Sequence, residues 1–206
     1  MQVANIQGFD SDGSIVIGRY YSWLLVGLLL ITSAQANDYV ISSDSGDAEI
    51  RFEVKQLGLR WLRGEFEKFH GQYSYSPQSP ENSAIQVIID MNSVTTDNSK
   101  IAKVIKSPEL LDAEQFPTAS FQSSGFEIHD QENAIITGLF TLHGVSREIS
   151  FPVKKIQNEN STGFAGQTSL KLADYDIIFD LGPASPMINV HMKIHGTLAE
   201  ASTAGQ

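Results

Sequence analysis

Histidine, lysine and arginine supply the spacings in this chain that could do chemistry, and each spacing has a definite reach. His191 and His195 lie four residues apart around Lys193. On an extended strand that is about 13 Å along one face, too far for two imidazoles to share a metal ion. They read as solvated rings on a polar face. His143 stands between Leu142 and Gly144, where two extended runs meet in a turn. An imidazole there either bonds a backbone carbonyl or touches a ligand. His70, before Gly71, carries the same structural reading. Lys100, Lys103 and Lys106 repeat every third residue, and Arg60 and Arg63 flank Trp61. Such cations form a solvated face or receive a phosphate or carboxylate.

Nothing else in the chain has the form of a reaction centre. The sequence contains no G-x-S-x-G elbow, H-E-x-x-H pair, phosphate loop or dinucleotide fingerprint. It has no cysteine, which excludes thiolate metal sites, cysteine nucleophiles and disulfides. No catalytic residue, metal ligand or cofactor is assigned.

The elements that would position these residues begin after an apolar run, Trp23-Leu24-Leu25-Val26-Gly27-Leu28-Leu29-Leu30-Ile31, followed by Thr32-Ser33-Ala34-Gln35-Ala36. The run is too short to span a bilayer comfortably and ends in an A-x-A pattern. Residues 1–36 therefore read as a signal peptide cleaved near Ala36, with residues 1–14 a leader longer than export needs. The expected location is periplasmic. Loss of Arg19, Asp10 and Asp12 moves the formal charge from −10 only to −9. That balance argues against nucleic acid and against docking on anionic lipid by bulk charge. No later run is long enough for a membrane span after processing. An acidic β protein with edge strands can be a monomer or a homodimer.

From residue 48 onward the period is two. Ile50, Phe52 and Val54 oppose Glu49, Arg51, Glu53 and Lys55, and Ile85, Val87, Ile89 and Met91 oppose Gln86, Asp90 and Asn92. Phe164, Gly166, Thr168, Leu170 and Leu172 repeat the pattern, as do Ile188, Val190, Met192 and Ile194 against His191, Lys193 and His195. Residues 39–42, a segment with Tyr73 and Tyr75, and runs at 116–128, 134–142 and 147–156 bring the expectation to about eight or nine strands. These close into a barrel or pack as two sheets. Residues 97–111 depart from the pattern: Ile101, Val104 and Ile105 have helical spacing, and Ser107-Pro108-Glu109 opens a second short turn. Residues 158–163 and 182–186 read as loops, and 201–206 as a frayed tail.

Several blocks along the chain resemble one family. Val54-Lys55-Gln56-Leu57-Gly58-Leu59 and the run from Leu62 through Gly71 look like the opening signature of YceI-like proteins, the lipocalin-like polyisoprenoid-binding family. Ile89-Asp90 with Ser93-Val94, the Ser107 to Asp112 block, Phe116-Pro117-Thr118, and Gly138-Leu139-Phe140-Thr141-Leu142-His143-Gly144-Val145 follow in the order the family requires. The resemblance spans residues 39–199 and implies one domain over 37–200. It implies an all-β, antiparallel, lipocalin-like closed barrel of about eight strands with a helical insert at about 97–112. It also implies an apolar tunnel for an isoprenoid or other long-chain amphiphilic lipid. Three departures stand out: Gln56 and Val104 replace histidines common in the family, and Leu110-Leu111 replaces an aromatic pair.

The inward sets expected to line that cavity, or else to fill a solid core, are Phe52, Val54, Phe66, Phe69, Val87, Ile89, Phe121, Phe140, Leu142, Phe164 and Met192, with His143 as a polar ligand contact. The leading functional expectation is a non-enzymatic carrier or sequestering protein for such a lipid. The alternatives are a filled barrel serving as a stress or partner-interaction module, and an enzyme acting on a small amphiphile.

Overall fold

The computed structural model describes residues 37–46, 48–56, 60–76, 78–157, 161–178 and 187–199. The expected signal peptide, the Leu57-Gly58-Leu59 segment, the 182–186 loop and the 201–206 tail lie outside the described residues. The strand segments are β1 (Asn37–Ser42), β2 (Glu49–Gln56), β3 (Arg60–Phe66), β4 (Phe69–Tyr75), β5 (Ala84–Asp90), β6 (Val94–Thr96), β7 (Thr118–Ile128), β8 (Asn133–Leu142), β9 (Val145–Gln157), β10 (Ser161–Lys171) and β11 (Met187–Leu198). Helix α1 (Ser99–Lys106) lies between β6 and β7.

Pairing reduces these eleven segments to eight long antiparallel strands. β1 and β2 both pair with β11, Ile41 opposite Gly196 and Glu49 opposite Lys193. They are one strand interrupted by a 3-10 turn, Ser43–Ser45. Next to it, β3 pairs with β2 and β4 with β1; beyond them, β5 pairs with β4 and β6 with β3. The remaining order, β5-β7-β8-β9-β10-β11, returns to β1 and closes the barrel. Every paired neighbour in this ring is antiparallel, and closure removes the two long edges an open sheet would present.

All three interruptions fall at one level of the wall. The backbone there is satisfied by Ser93, whose Oγ accepts from Lys68 N–H at 3.0 Å and whose carbonyl accepts from Glu67 N–H at 3.2 Å. Asp90 N–H donates to Lys68 O at 2.9 Å, and the Asp90 carboxylate caps the 3-10 turn Met91–Ser93. Past the break β6 does not pair with β7. Helix α1 covers that end, burying Ala102 and Ile105, and Ile105 packs with Phe52 and Val94. Asn98 caps the helix by accepting from Lys100 N–H at 3.0 Å.

Between β9 and β10 the ladder covers only Thr162–Gln157 to Gly166–Val153, beginning one residue after Pro152, which has no N–H to donate. A 3-10 turn, Leu172–Tyr175, lies against this wall: Arg147 Nε donates to Asp174 O at 3.1 Å, and buried Tyr175 meets Phe140 edge-on.

The structure corrects several local expectations. The β3 and β6 segments were not anticipated as strands. The helix stops at Lys106, and residues 108–111 form turns rather than further helix. Thr162 and Gly163, expected in a loop, belong to β10, whereas Leu172 has left the strand. His195, expected in solvent, is 4% exposed. Alternation places a residue on the outer face but does not say whether other parts of the chain cover it. His191 is partly exposed and lies 3.6 Å from Glu53.

Candidate ligand-binding cavity

The inward faces of the strands do not fill the barrel. They enclose a cavity of about 410 Å³, within the size range of small-molecule pockets. Because side chains alternate across each strand, one parity of residues forms the wall: Ile50, Phe52 and Val54 on β2, Ile85, Val87 and Ile89 on β5, and Ile188, Val190, Met192 and Ile194 on β11. Phe121, Ile136, Phe140, Leu142, Ile149, Phe151, Val153, Phe164 and Leu170 continue it around β7 to β10. Among the described lining residues only Lys100 and Thr168 carry polar side chains.

The two ends differ. At one, the cavity stops at Phe164, behind which an aromatic cluster is packed. Tyr73 stacks on Tyr39 with ring centroids 4.6 Å apart and planes 7° apart, and its edge meets Phe164 at 5.7 Å. Phe126 and Tyr75 approach the same Phe164 ring at 6.1 and 6.4 Å. The Tyr73 hydroxyl donates to the Thr162 carbonyl. Burial pushes its pKa far above the usual phenol value, so it stays protonated. Lys155 Nζ lies 3.1 Å from the Tyr75 hydroxyl and over its ring.

At the other end α1 forms part of the rim. Lys100, Ile101, Val104 and Ile105 line the cavity from the helix, with Leu110 and Leu111 from the following turns. Val104 is 47% exposed while lining the cavity, which marks this end as the mouth. Leu62, Leu172 and Ile177 complete the lining there.

Of the twelve side chains expected at the site, ten are brought together in this wall: Phe52, Val54, Phe66, Val87, Ile89, Phe121, Phe140, Leu142, Phe164 and Met192. Phe69 and His143 are not among the lining residues. Phe69 faces the interior opposite Ile89 but is packed in the solid core, 4% exposed. His143 occupies the two-residue turn between β8 and β9, with φ 52° at His143 and 75° at Gly144. Its Nδ1 lies 3.2 Å from the Tyr175 carbonyl, and its ring packs on Phe116 at 4.4 Å. It ties the hairpin to the 3-10 turn, the backbone-bonding alternative for this residue.

Ile50, Ile85, Ile188, Val190 and Ile194 also line the wall, and each shares its strand parity with a residue expected there. Ile177 follows a turn and carries no periodic signal. Among the described residues no group of three or more histidines and carboxylates could hold a metal ion, and no helix is long and apolar enough to cross a membrane.

Comparison with known proteins places this geometry. A UPF0312 protein of Ectopseudomonas mendocina is 35% identical over 180 residues, covering 84% of this chain and 94% of its own. One from Yersinia enterocolitica is 32% identical over 185 residues, covering 86% and 96%. Among solved structures, BcnA of Burkholderia cenocepacia superposes with a TM-score of 0.69 at 20% identity, over 74% of this chain and 98% of its own. A polyisoprenoid binding domain from Saccharophagus degradans gives 0.63 at 14% identity, over 80% and 100%. These structural likenesses establish the shared lipocalin-like barrel. The YceI-like domain matches residues 41–198, and with the curated relatives aligned over nearly their full length, this chain belongs to the YceI-like family.

Proposed function

We propose that the barrel takes up the tail of an isoprenoid or similar long-chain amphiphilic lipid and carries or sequesters it outside the cytoplasm. The observation that carries this reading is the cavity: apolar along its wall, stopped by aromatic rings at one end and open at the other, where α1 forms part of the rim. A filled barrel would leave no such space. The Saccharophagus degradans neighbour, a polyisoprenoid binding domain, supports the same ligand class. The apolar run at residues 23–31 and its A-x-A end support export to the periplasm.

Energetics favour long chains. Burying about 100 Å² per five-carbon unit at about 25 cal/mol/Å² contributes roughly 2.5 kcal/mol per unit. Association costs on the order of 4–15 kcal/mol, so several units must be buried. Lining residues on β11 extend from Ile188 to Ile194, about 20 Å along the strand and about 15 Å of depth once tilt is included.

No histidine, serine or carboxylate is among the described lining residues, and the apolar wall supports binding as the activity. The test is native mass spectrometry of the processed protein from its own host, with organic extraction, followed by titration with prenols of increasing length. A bound isoprenoid and affinity that rises with chain length are expected. Equal affinity for one-unit and many-unit prenols, or a mass unchanged by any of them, overturns the proposal.

A further inference from the structure

We infer that the ligand carries an anionic head group, a phosphate or a carboxylate, and that Lys100 receives it at the cavity mouth. This rests on the lipid-binding reading above and adds to it a head-group chemistry.

The wall itself narrows the choice. No carboxylate side chain is among the described lining residues, and Lys100 is the one cation there. Thr168 can form a hydrogen bond but carries no charge. A lipid whose tail fills an apolar barrel closed by aromatic rings leaves its head at the open end, where Lys100 lies.

Helical geometry singles out this lysine from its neighbours. At about 100° per residue, Lys100, Val104, Ile101 and Ile105 fall within one arc of about 140°, whereas Lys103 and Lys106 fall outside it. The cavity lining follows that division: the first four are in it, and the other two lysines are not. The stripe of three cations therefore presents one to the ligand. A lysine stem can lie over the apolar rim while its ammonium stays at the water boundary.

The charge is also unneutralised. Lys100 has no ion pair among the described residues, and the first turn of α1 contains no acidic residue. A cation in the first helical turn opposes the helix dipole, so the helix itself gives no reason for a lysine there. An anion at the mouth would be favoured by both the ammonium and the helix end. This gives a chain of net charge −10 a local positive site at its cavity.

The experiment compares a four-unit prenyl monophosphate with the corresponding prenyl alcohol, by titration against the purified protein at low and high salt. The phosphate is expected to bind about tenfold more tightly, with the preference shrinking as salt rises. Lys100→Met should bring the ratio of the two Kd values close to one, Lys100→Arg should retain the preference, and Lys103→Met should leave it as in the wild type. Equal affinities in the wild type, or a preference that survives Lys100→Met, overturn the head-group inference while lipid binding stands. Failure of both probes to bind overturns the lipid-binding reading itself.

Discussion

At the residue scale, the closed end depends on a few aromatic rings laid flat against the wall, and glycine makes room for them. A Cβ at Gly196 would collide with the Tyr73 ring and with the Tyr39 Cβ, and the same device recurs towards the mouth, where a Cβ at Gly64 would collide with the Phe52 ring registered directly opposite. Tyr73 is 2% exposed, yet it carries a hydroxyl, which its hydrogen bond to the Thr162 carbonyl satisfies. Tyr73→Phe should leave that buried carbonyl without this donor and lower stability by about 1–2 kcal/mol. Urea denaturation should show an earlier midpoint with an unchanged slope; an unmoved midpoint would mean the bond contributes nothing. The wall at this scale was legible wherever parity decides it, because Phe52, Val87 and Met192 belong to clean alternations. His143 and Phe69 were not, since a turn histidine and an inward phenylalanine look alike in sequence whether they face a ligand or packed neighbours.

At the element scale, the interrupted strands explain both what the sequence revealed and what it hid. β7 to β11 are long enough to show their period, and β2 and β5 show it despite the breaks beside them. β3 did not, because Gly64 stands between its inward Leu62 and Phe66 while Trp61 faces outward, 43% exposed. β6 has three residues, too few for any period to appear. Helix α1 was legible from its spacing, but its length was not, because Ser107-Pro108 ends it in a turn that keeps apolar residues coming. With eight residues, α1 is too short to persist without its packing and its cap. Asn98→Ala removes the acceptor for Lys100 N–H and should weaken the helix by about 1 kcal/mol. Hydrogen exchange across residues 99–106 should quicken about fivefold, with the barrel strands unchanged. A uniform change across the barrel would show instead that α1 does not open separately.

At the scale of the whole molecule, the barrel is polarised along its axis, and that polarity sets what it can hold. Closure through the β1–β11 pairing completes the ring, while past the breaks in three adjacent strands β6 pairs only with β3 and that end is finished by a helix instead of a ladder. Among the described residues the mouth combines an apolar rim with a single lysine, and at the far end the rings of Tyr73, Tyr75 and Phe126 pack against Phe164. Tail length is therefore limited at one end and head chemistry at the other, so changes at the two ends should act on different properties of the ligand. Phe164→Ala removes the ring that separates the cavity from the Tyr73 cluster. It should cost about 3–5 kcal/mol of stability and lengthen the best-bound chain by about one five-carbon unit, because about one ring's volume is opened. Phe164→Leu should give a smaller shift in the same direction with a milder loss. Titration with a prenol series reads the optimum in each variant. If the optimum stays fixed while the proteins remain folded, Phe164 does not form the end of the binding space and the tail must stop short of it.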